Sequence, residues 1–178
     1  MVGVLLGPLL GFASVLLGEV AYLAISPFGA HFGFLTPFTP ALASLQAGLV
    51  ARRKTAWAAL LLSAFIACWL AVYGAHELPY LAPHAAGLAL VLLLGTRRSF
   101  LRDEKGPRLF AKCWAVVYSA NVTRHIFGTM LFLWFYGMYE LTWLLPITSA
   151  EQALFAALGA MVLAPTLLHF RKKETLEG

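Results

Sequence analysis

Long stretches without a charged residue or a histidine constrain the fold of this chain more than any other feature. Positions 56–75, 85–95 and 153–168 are such stretches, and alanine and leucine dominate them. The hydrocarbon core of a bilayer is about 30 Å thick and needs about 20 helical residues to cross. Only helices and closed barrels satisfy their backbone hydrogen bonds in lipid, and alternating strand patterns are absent from the sequence. The sequence therefore predicts an all-α integral membrane protein.

Composition and charge agree with a membrane protein. Hydrophobic residues make up 61% of the 178 residues and charged residues only 12%, whereas soluble domains are about half apolar and a quarter charged. The net charge of +5 comes from basic clusters beside apolar spans. That pattern indicates cytoplasmic flanks and no nucleic-acid partner. Cys68 and Cys113 lie within apolar spans, so we interpret them as small buried hydrophobes. The basic clusters are Arg52-Arg53-Lys54, the group from Arg97 to Lys112, and Arg171-Lys172-Lys173.

The basic clusters also predict the topology. Two apolar spans precede the first cluster, and two lie between each pair of neighbouring clusters. The far turns, at positions 26–36, 76–83 and 139–149, contain no Lys or Arg. With all three clusters in the cytoplasm, the chain forms a bundle of six transmembrane helices with both termini inside. We expect one transmembrane helical domain over residues 1–178, in the cell membrane and surrounded by lipid. The predicted spans are 2–25, 33–51 (interrupted by Pro37 and Pro40), 55–75, 80–96, 109–138 and 150–170.

Polar side chains concentrate on the fifth predicted span. Spacings of three and four residues set several of them on one helical face, beside Arg124. Arg124 lies about 18 Å along the helix from Lys112, too deep for its side chain to reach the interface. Ionisable groups at this depth are costly and tend to mark function, so Arg124 needs a carboxylate, a polar cavity or an anionic ligand. The face comprises Trp114, Tyr118, Asn121, His125 and Gly128.

Two interpretations of this polar face stay open. In one, Arg124 pairs with Glu19, the only acid well inside a predicted span, and the pair merely holds two helices together. In the other, Asn121, Arg124 and His125 anchor a polar small molecule, carboxylated or heteroaromatic, and Tyr118 forms a wall of its pocket.

Small residues recur at every fourth position on three spans, a pattern that lets helix backbones approach closely. The ridges either pack within the bundle or dock a partner membrane protein. The longest ridge is the candidate docking surface, because it exceeds what an internal contact requires. That ridge is Ala59, Ser63, Ala67, Ala71 and Ala75, and the other two are Gly3-Gly7-Gly11 and Ala156-Ala160-Ala164.

Most catalytic signatures are missing from the sequence. It has no Gly-rich phosphate-binding loop followed by Lys and Ser or Thr, so we expect no ATPase activity of its own. No His-Glu-x-x-His, Gly-x-Ser-x-Gly or paired-cysteine motif occurs either. Glu151 follows Ser149, a suitable N-cap, and is interpreted as an acid in a first helical turn. We therefore expect a protein that is not an enzyme and that has no cofactor and no metal.

Four short motifs follow one another over residues 3–54. They are Gly7-Pro8-Leu9-Leu10-Gly11, then Gly18-Glu19, then Ser26-Pro27-Phe28-Gly29-Ala30-His31-Phe32, and then Ala47-Gly48-Leu49-Val50-Ala51-Arg52-Arg53. Together they resemble the substrate-binding S components of energy-coupling factor (ECF) transporters. Residues 121–173 resemble that family more loosely, through an Asn-bearing helix and a last helix that opens with Glu and ends in basic residues.

The resemblance implies a high-affinity binding subunit for a vitamin or a related micronutrient, with a pocket that opens outward. A transmembrane coupling subunit and ATPase subunits on other chains would drive delivery. Two other functions compete with this one: an intramembrane enzyme that uses Arg124, His125 and Glu19 on a lipid-derived or phosphorylated substrate, and a structural assembly subunit. The candidate substrate contacts are Glu19, His31, Tyr118, Asn121, Arg124 and His125.

Overall fold

The computed structural model describes residues 1–29, 31–74, 78–96, 101, 105–137 and 145–177. In this part of the chain the protein is all-helical and has no strand. The described helices are α1 (Val2–Leu6), α2 (Pro8–Ile25), α3 (Phe38–Ala51), α4 (Thr55–Tyr73), α5 (Ala82–Thr96), α6 (Gly106–Tyr136) and α7 (Leu145–Glu177). Short 3₁₀ turns over Pro27–Gly29, Gly33–Leu35 and Leu78–Leu81 precede α3 and α5.

Among the residues that the structure describes, five helical segments are long and apolar enough to cross a membrane. They correspond to α2, α3 with its preceding turn, α4, α5 with its preceding turn, and α7. Large apolar side chains cover their outer surface, such as Leu9 at 76% exposure and Met161 at 62%. Such a surface is compatible with lipid and not with water. The prediction of an all-helical protein with several helices able to cross a membrane is therefore confirmed for the described residues. The sixth crossing stays a prediction, since α6 has 31 residues but includes Arg108, Lys112 and Arg124.

The first predicted span is wrong as one continuous helix, because Gly7 interrupts it. Gly7 has a φ of 90°, which a residue with a β-carbon rarely adopts, and Pro8 then starts α2. The break folds α1 back against α2, so that Gly3 lies beside Gly11. A β-carbon on Gly3 would also overlap the backbone of Ser44 in α3. These glycines therefore permit a three-helix contact and do not form a ridge along one helix.

Prolines shape the start of α3 as predicted. The 3₁₀ turn Gly33–Leu35 is followed by an α-helix that begins only at Phe38, directly after Pro37. Pro40 lies in the first turn of that helix, where a missing N–H leaves no hydrogen bond broken. The predicted irregular beginning of the second span is confirmed. Thr39 lies in the first turn of α3, at the end of this helix away from Arg52.

The helix α6 is the centre of the bundle. It packs against α3, α5 and α7, whereas α2 packs mainly against α1 and α3. The α5–α6 contact is very close at Gly87, where an added β-carbon would overlap Cγ2 of Val122. Because α6 touches most of the other long helices, the polar residues in its second half are positioned by several neighbours at once.

Candidate functional site

A cavity of about 460 Å³ opens between the beginnings of α3 and α7 and the second half of α6. It is open to the surroundings and not sealed. Its lining includes Thr39 of α3, Thr129 of α6 and Thr148 of α7. The basic ends of the same helices, at Arg52 and at Arg108, lie at the opposite end of the bundle. The cavity therefore belongs to the end that is poor in Lys and Arg.

Two opposite charges line the cavity. Arg124 of α6 and Glu151 of α7 both contribute to its wall, and both are exposed there. Within the described residues, Arg124 and Glu151 do not form an ion pair with each other. Phe32, Phe132 and Ile147 supply apolar wall between the polar groups. A pocket with apolar walls and a few polar groups is typical of a small-molecule site.

A hydrogen-bonded chain of side chains borders the same cavity. The hydroxyl of Tyr80 lies 3.3 and 3.4 Å from the two ring nitrogens of His125. It also lies 3.0 Å from Oγ1 of Thr129, which donates to the backbone carbonyl of His125 at 2.9 Å. On the far side, Nε2 of His84 is 3.3 Å from Nδ1 of His125. Tyr80, His125 and Thr129 line the cavity, and His84 is fully buried behind them.

Aromatic packing holds this chain in position. The ring of Trp69 in α4 stacks on Tyr80, with centroids 5.2 Å apart and an interplanar angle of 22°. Trp69 is fully buried, and Tyr80 is only 2% exposed. The rings of Tyr80 and His84 are also in contact. Since offset-stacked aromatic rings stabilise a fixed arrangement, the hydroxyl of Tyr80 has little freedom to turn away from His125.

Two buried carboxamides lie below the cavity. Gln46 of α3 and Gln152 of α7 are 0% and 1% exposed, and no described group hydrogen-bonds to either amide. Gln152 follows Thr148 by one turn and Gln46 follows Thr39 by two, and both threonines line the cavity. A buried amide without a partner costs about 1–3 kcal/mol. Each of these amides therefore lies in the interior of the bundle, further along its helix from a threonine of the cavity wall.

The structure brings two of the predicted substrate contacts into the cavity, Arg124 and His125. Tyr118 does not line it: this residue is buried, stacks on Trp114, and donates to the carbonyl of Pro83 at 3.3 Å. Asn121 is half-buried and lies inward of the lining residues on α6. The polar face of the fifth predicted span therefore has two parts. Arg124 and His125 line the cavity, whereas Tyr118 packs inside the bundle.

The other two predicted contacts lie apart from the cavity wall. Glu19 is half-buried on α2, which does not pack mainly against α6, and it forms no described ion pair with Arg124. His31 has an exposed side chain, and its carbonyl accepts a hydrogen bond from the Tyr136 hydroxyl at 2.9 Å. Its neighbour Phe32 lines the cavity. The environment of Arg124 is thus the polar cavity that contains Glu151.

The predicted docking ridge lies on α4. Ala67 and Ala71 are exposed, whereas Ala59 and Ser63 are half-buried. Ala75 lies outside the described residues. The outer half of the ridge therefore faces away from the bundle and is accessible to another membrane protein.

Sequence reasoning missed Tyr80, Thr129 and Glu151. Tyr80 marked only the start of a predicted span, and Thr129 has no signal of its own in the sequence. Glu151 was interpreted as an acid in a first helical turn, but α7 begins at Leu145, a full turn before Ser149. Ser149 is therefore not an N-cap, and Glu151 lines the cavity instead.

Comparison with known proteins adds one relative. The chain is 26% identical over 169 residues to the uncharacterized protein MJ0923 of Methanocaldococcus jannaschii. The match covers 89% of the chain but 54% of that protein, so the chain spans about half the length of this relative. No protein-family profile matches the chain, and no solved structure matches it.

Proposed function

We propose that this protein is the membrane-embedded substrate-binding subunit of an ECF-type importer for a vitamin or a related small micronutrient. The observation that carries the proposal is the cavity of about 460 Å³, which lies at the end of the bundle away from the basic clusters. By the positive-inside rule those clusters are cytoplasmic. In the proposed orientation, with six crossings and both termini inside, the cavity opens outward in the cell membrane.

The lining of the cavity suits the capture of a small polar molecule. Its volume lies in the range of about 300–1,000 Å³ that is usual for ligand sites. Arg124, His125 and Glu151 offer polar contacts, and the phenylalanines offer apolar surface. Charged groups facing a cavity at membrane depth are retained mainly where function requires them. A bundle that only needed close helix packing would not need both charges in an open cavity, which argues against a purely structural assembly subunit.

Energy would come from other chains in this proposal. The sequence has no phosphate-binding loop, so ATPase subunits and a transmembrane coupling subunit would supply the driving force. The exposed Ala67 and Ala71 offer small side chains against which a partner helix can pack closely. The second candidate function is an intramembrane enzyme, because Arg124, His125 and Glu151 share one cavity. The proposed outward opening favours the importer, since ECF-type capture takes its ligand from outside.

Purification from native membranes tests the proposal. The tagged chain is isolated in mild detergent, its copurifying subunits are identified, and ATP-driven uptake of the extracted ligand is measured in proteoliposomes. We expect ATPase and coupling subunits, uptake that Arg124→Met abolishes, and normal uptake by the control Arg108→Met. Arg108 is on the same helix but at the opposite end of the bundle. Isolation without any ATPase subunit, together with turnover of the ligand by the chain alone, would establish the enzyme instead.

A further inference from the structure

The side chains hydrogen-bonded to one another beside the cavity have donor and acceptor roles that can be assigned. The number of hydroxyl protons available to Tyr80 and Thr129 determines which group donates in each bond. The backbone carbonyl of His125 can only accept, so Thr129 donates its single hydroxyl proton to it, over 2.9 Å. The contact of 3.0 Å between Tyr80 and Thr129 must then use the proton of Tyr80. Both hydroxyl protons are committed in this way before His125 is considered.

The tautomer of His125 is the one that lets each ring nitrogen contact a different neighbour. Since Tyr80 has no second proton, it accepts from a ring N–H of His125, whose Nδ1 and Nε2 lie 3.3 and 3.4 Å from the hydroxyl. A proton on Nε2 is the arrangement in which separate ring nitrogens contact Tyr80 and His84. With one proton on each imidazole, Nδ1 of His125 then has a lone pair and accepts from Nε2–H of His84 over 3.3 Å. The donors therefore run from His84 to His125, to Tyr80, to Thr129, and end at the carbonyl.

This direction determines what the cavity offers to a ligand. Tyr80 and Thr129 have no proton left, so they present only lone pairs to a ligand in the cavity. The carboxylate of Glu151 is likewise an acceptor, and it adds a negative charge. Arg124 is the opposite case, because a guanidinium has five N–H donors and no acceptor. The same cavity therefore contains a set of acceptors and one strong cationic donor.

We infer that the ligand is a zwitterionic small molecule. Its cationic N–H group contacts Tyr80, Thr129 and Glu151, and its anionic group contacts Arg124. Phe32 and Phe132 pack against its apolar part. This inference rests on the proposed substrate-binding function and names the class of its substrate. A purely anionic ligand would leave Glu151 facing a like charge, and a purely cationic ligand would do the same at Arg124.

Charge-sorted metabolites test the inference. The small-molecule pool of the source cell is separated by ion exchange at neutral pH into cationic, anionic and unretained fractions. A cation exchanger at acidic pH then divides the unretained fraction into zwitterions, which it retains as cations, and neutral compounds. Each fraction is added to the purified protein during thermal unfolding. We expect the zwitterionic fraction alone to raise the unfolding midpoint, because a ligand that binds the native state stabilises it. Stabilisation by another fraction would overturn the zwitterion and leave the proposed binding function standing. Stabilisation by no fraction would overturn both.

Variants separate the two ends of the ligand. Arg124→Met and Glu151→Gln should each weaken the apparent affinity for the zwitterionic fraction at least about tenfold, because each loses a charged hydrogen bond. Tyr80→Phe keeps the ring stacked on Trp69 and should weaken it about two- to tenfold. Arg108→Met, the control, should bind normally. Unchanged affinity in Glu151→Gln would mean that no cationic group is bound there, and the inference would be wrong.

Discussion

Gly87 determines how closely α5 approaches α6, and we expect Gly87→Ala to destabilise the protein. A β-carbon at this position would overlap Cγ2 of Val122, and Cδ2 of Leu62 would be 3.6 Å away. Val122 and Leu62 are both fully buried, so neither side chain can move into free space. His84 is one turn before Gly87, and any separation of α5 from α6 also moves its ring away from His125.

The expected magnitude follows from the overlap. Inserting a methyl group into a packed core costs about 1–3 kcal/mol, and the better helix propensity of alanine offsets up to about 1 kcal/mol of it. Because the overlap with Val122 is severe, the cost lies in the upper part of that range, about 2–3 kcal/mol, and we expect the free energy of unfolding to fall by about 1–2 kcal/mol. For a chain of this length, each kcal/mol lowers the midpoint by about 2–4 °C. The midpoint should thus fall by about 2–8 °C.

Thermal unfolding in detergent measures this effect, and the chain offers a matched control. Gly18→Ala lies on α2, where an added β-carbon would meet nothing within 4 Å, so its midpoint should not fall. The double variant Gly87→Ala/Val122→Ala should lose less stability than the sum of the two single variants, because the second change removes the overlap. If Gly87→Ala unfolds at the wild-type temperature, the close α5–α6 contact is not present in the protein.

Three further predictions concern burial and topology. Gln46→Met should raise the free energy of unfolding by about 1–3 kcal/mol, since it removes a buried amide without a described hydrogen-bond partner. A lower midpoint of thermal unfolding would show that this amide is hydrogen-bonded in the native protein. Cys113 is buried as predicted, but Cys68 is exposed, so its interpretation as a buried hydrophobe is wrong. N-ethylmaleimide should therefore label Cys68 of the solubilised protein but not Cys113, and persistence of the label in Cys68→Ala would contradict this. In a cysteine-free background, Phe34→Cys and Arg108→Cys should react from opposite sides of oriented vesicles, and reaction from the same side would overturn the proposed topology.

The spans could be predicted from the sequence because their cause is local. A run of apolar residues long enough to cross lipid forms a helix wherever it occurs, and so the predicted bounds of α4 and α5 agree closely with the structure. The interruption at Gly7 could not be predicted in the same way. A glycine in an apolar run is compatible with a helix, and the break is accompanied by close contacts of Gly3 with Gly11 and Ser44, which lie far from it in the sequence.

The residues of the site also fall into those that local sequence could identify and those that it could not. Arg124 and His125 could be identified from the sequence, because a polar group at membrane depth is costly wherever the helix lies. Tyr80, Thr129 and Glu151 are individually ordinary residues near helix ends, and nothing local marks them. They become a site only because α6 and α7 pack together and the turn before α5 lies against α6. The free-energy cost of burying a charge depends on how deep that one residue lies in lipid, which its position along the helix determines. A cavity and its hydrogen-bonded wall depend instead on distances between segments that are far apart in the chain. The sequence by itself therefore determined the helices and the polar stripe, and only the tertiary structure decided which side chains meet at the cavity.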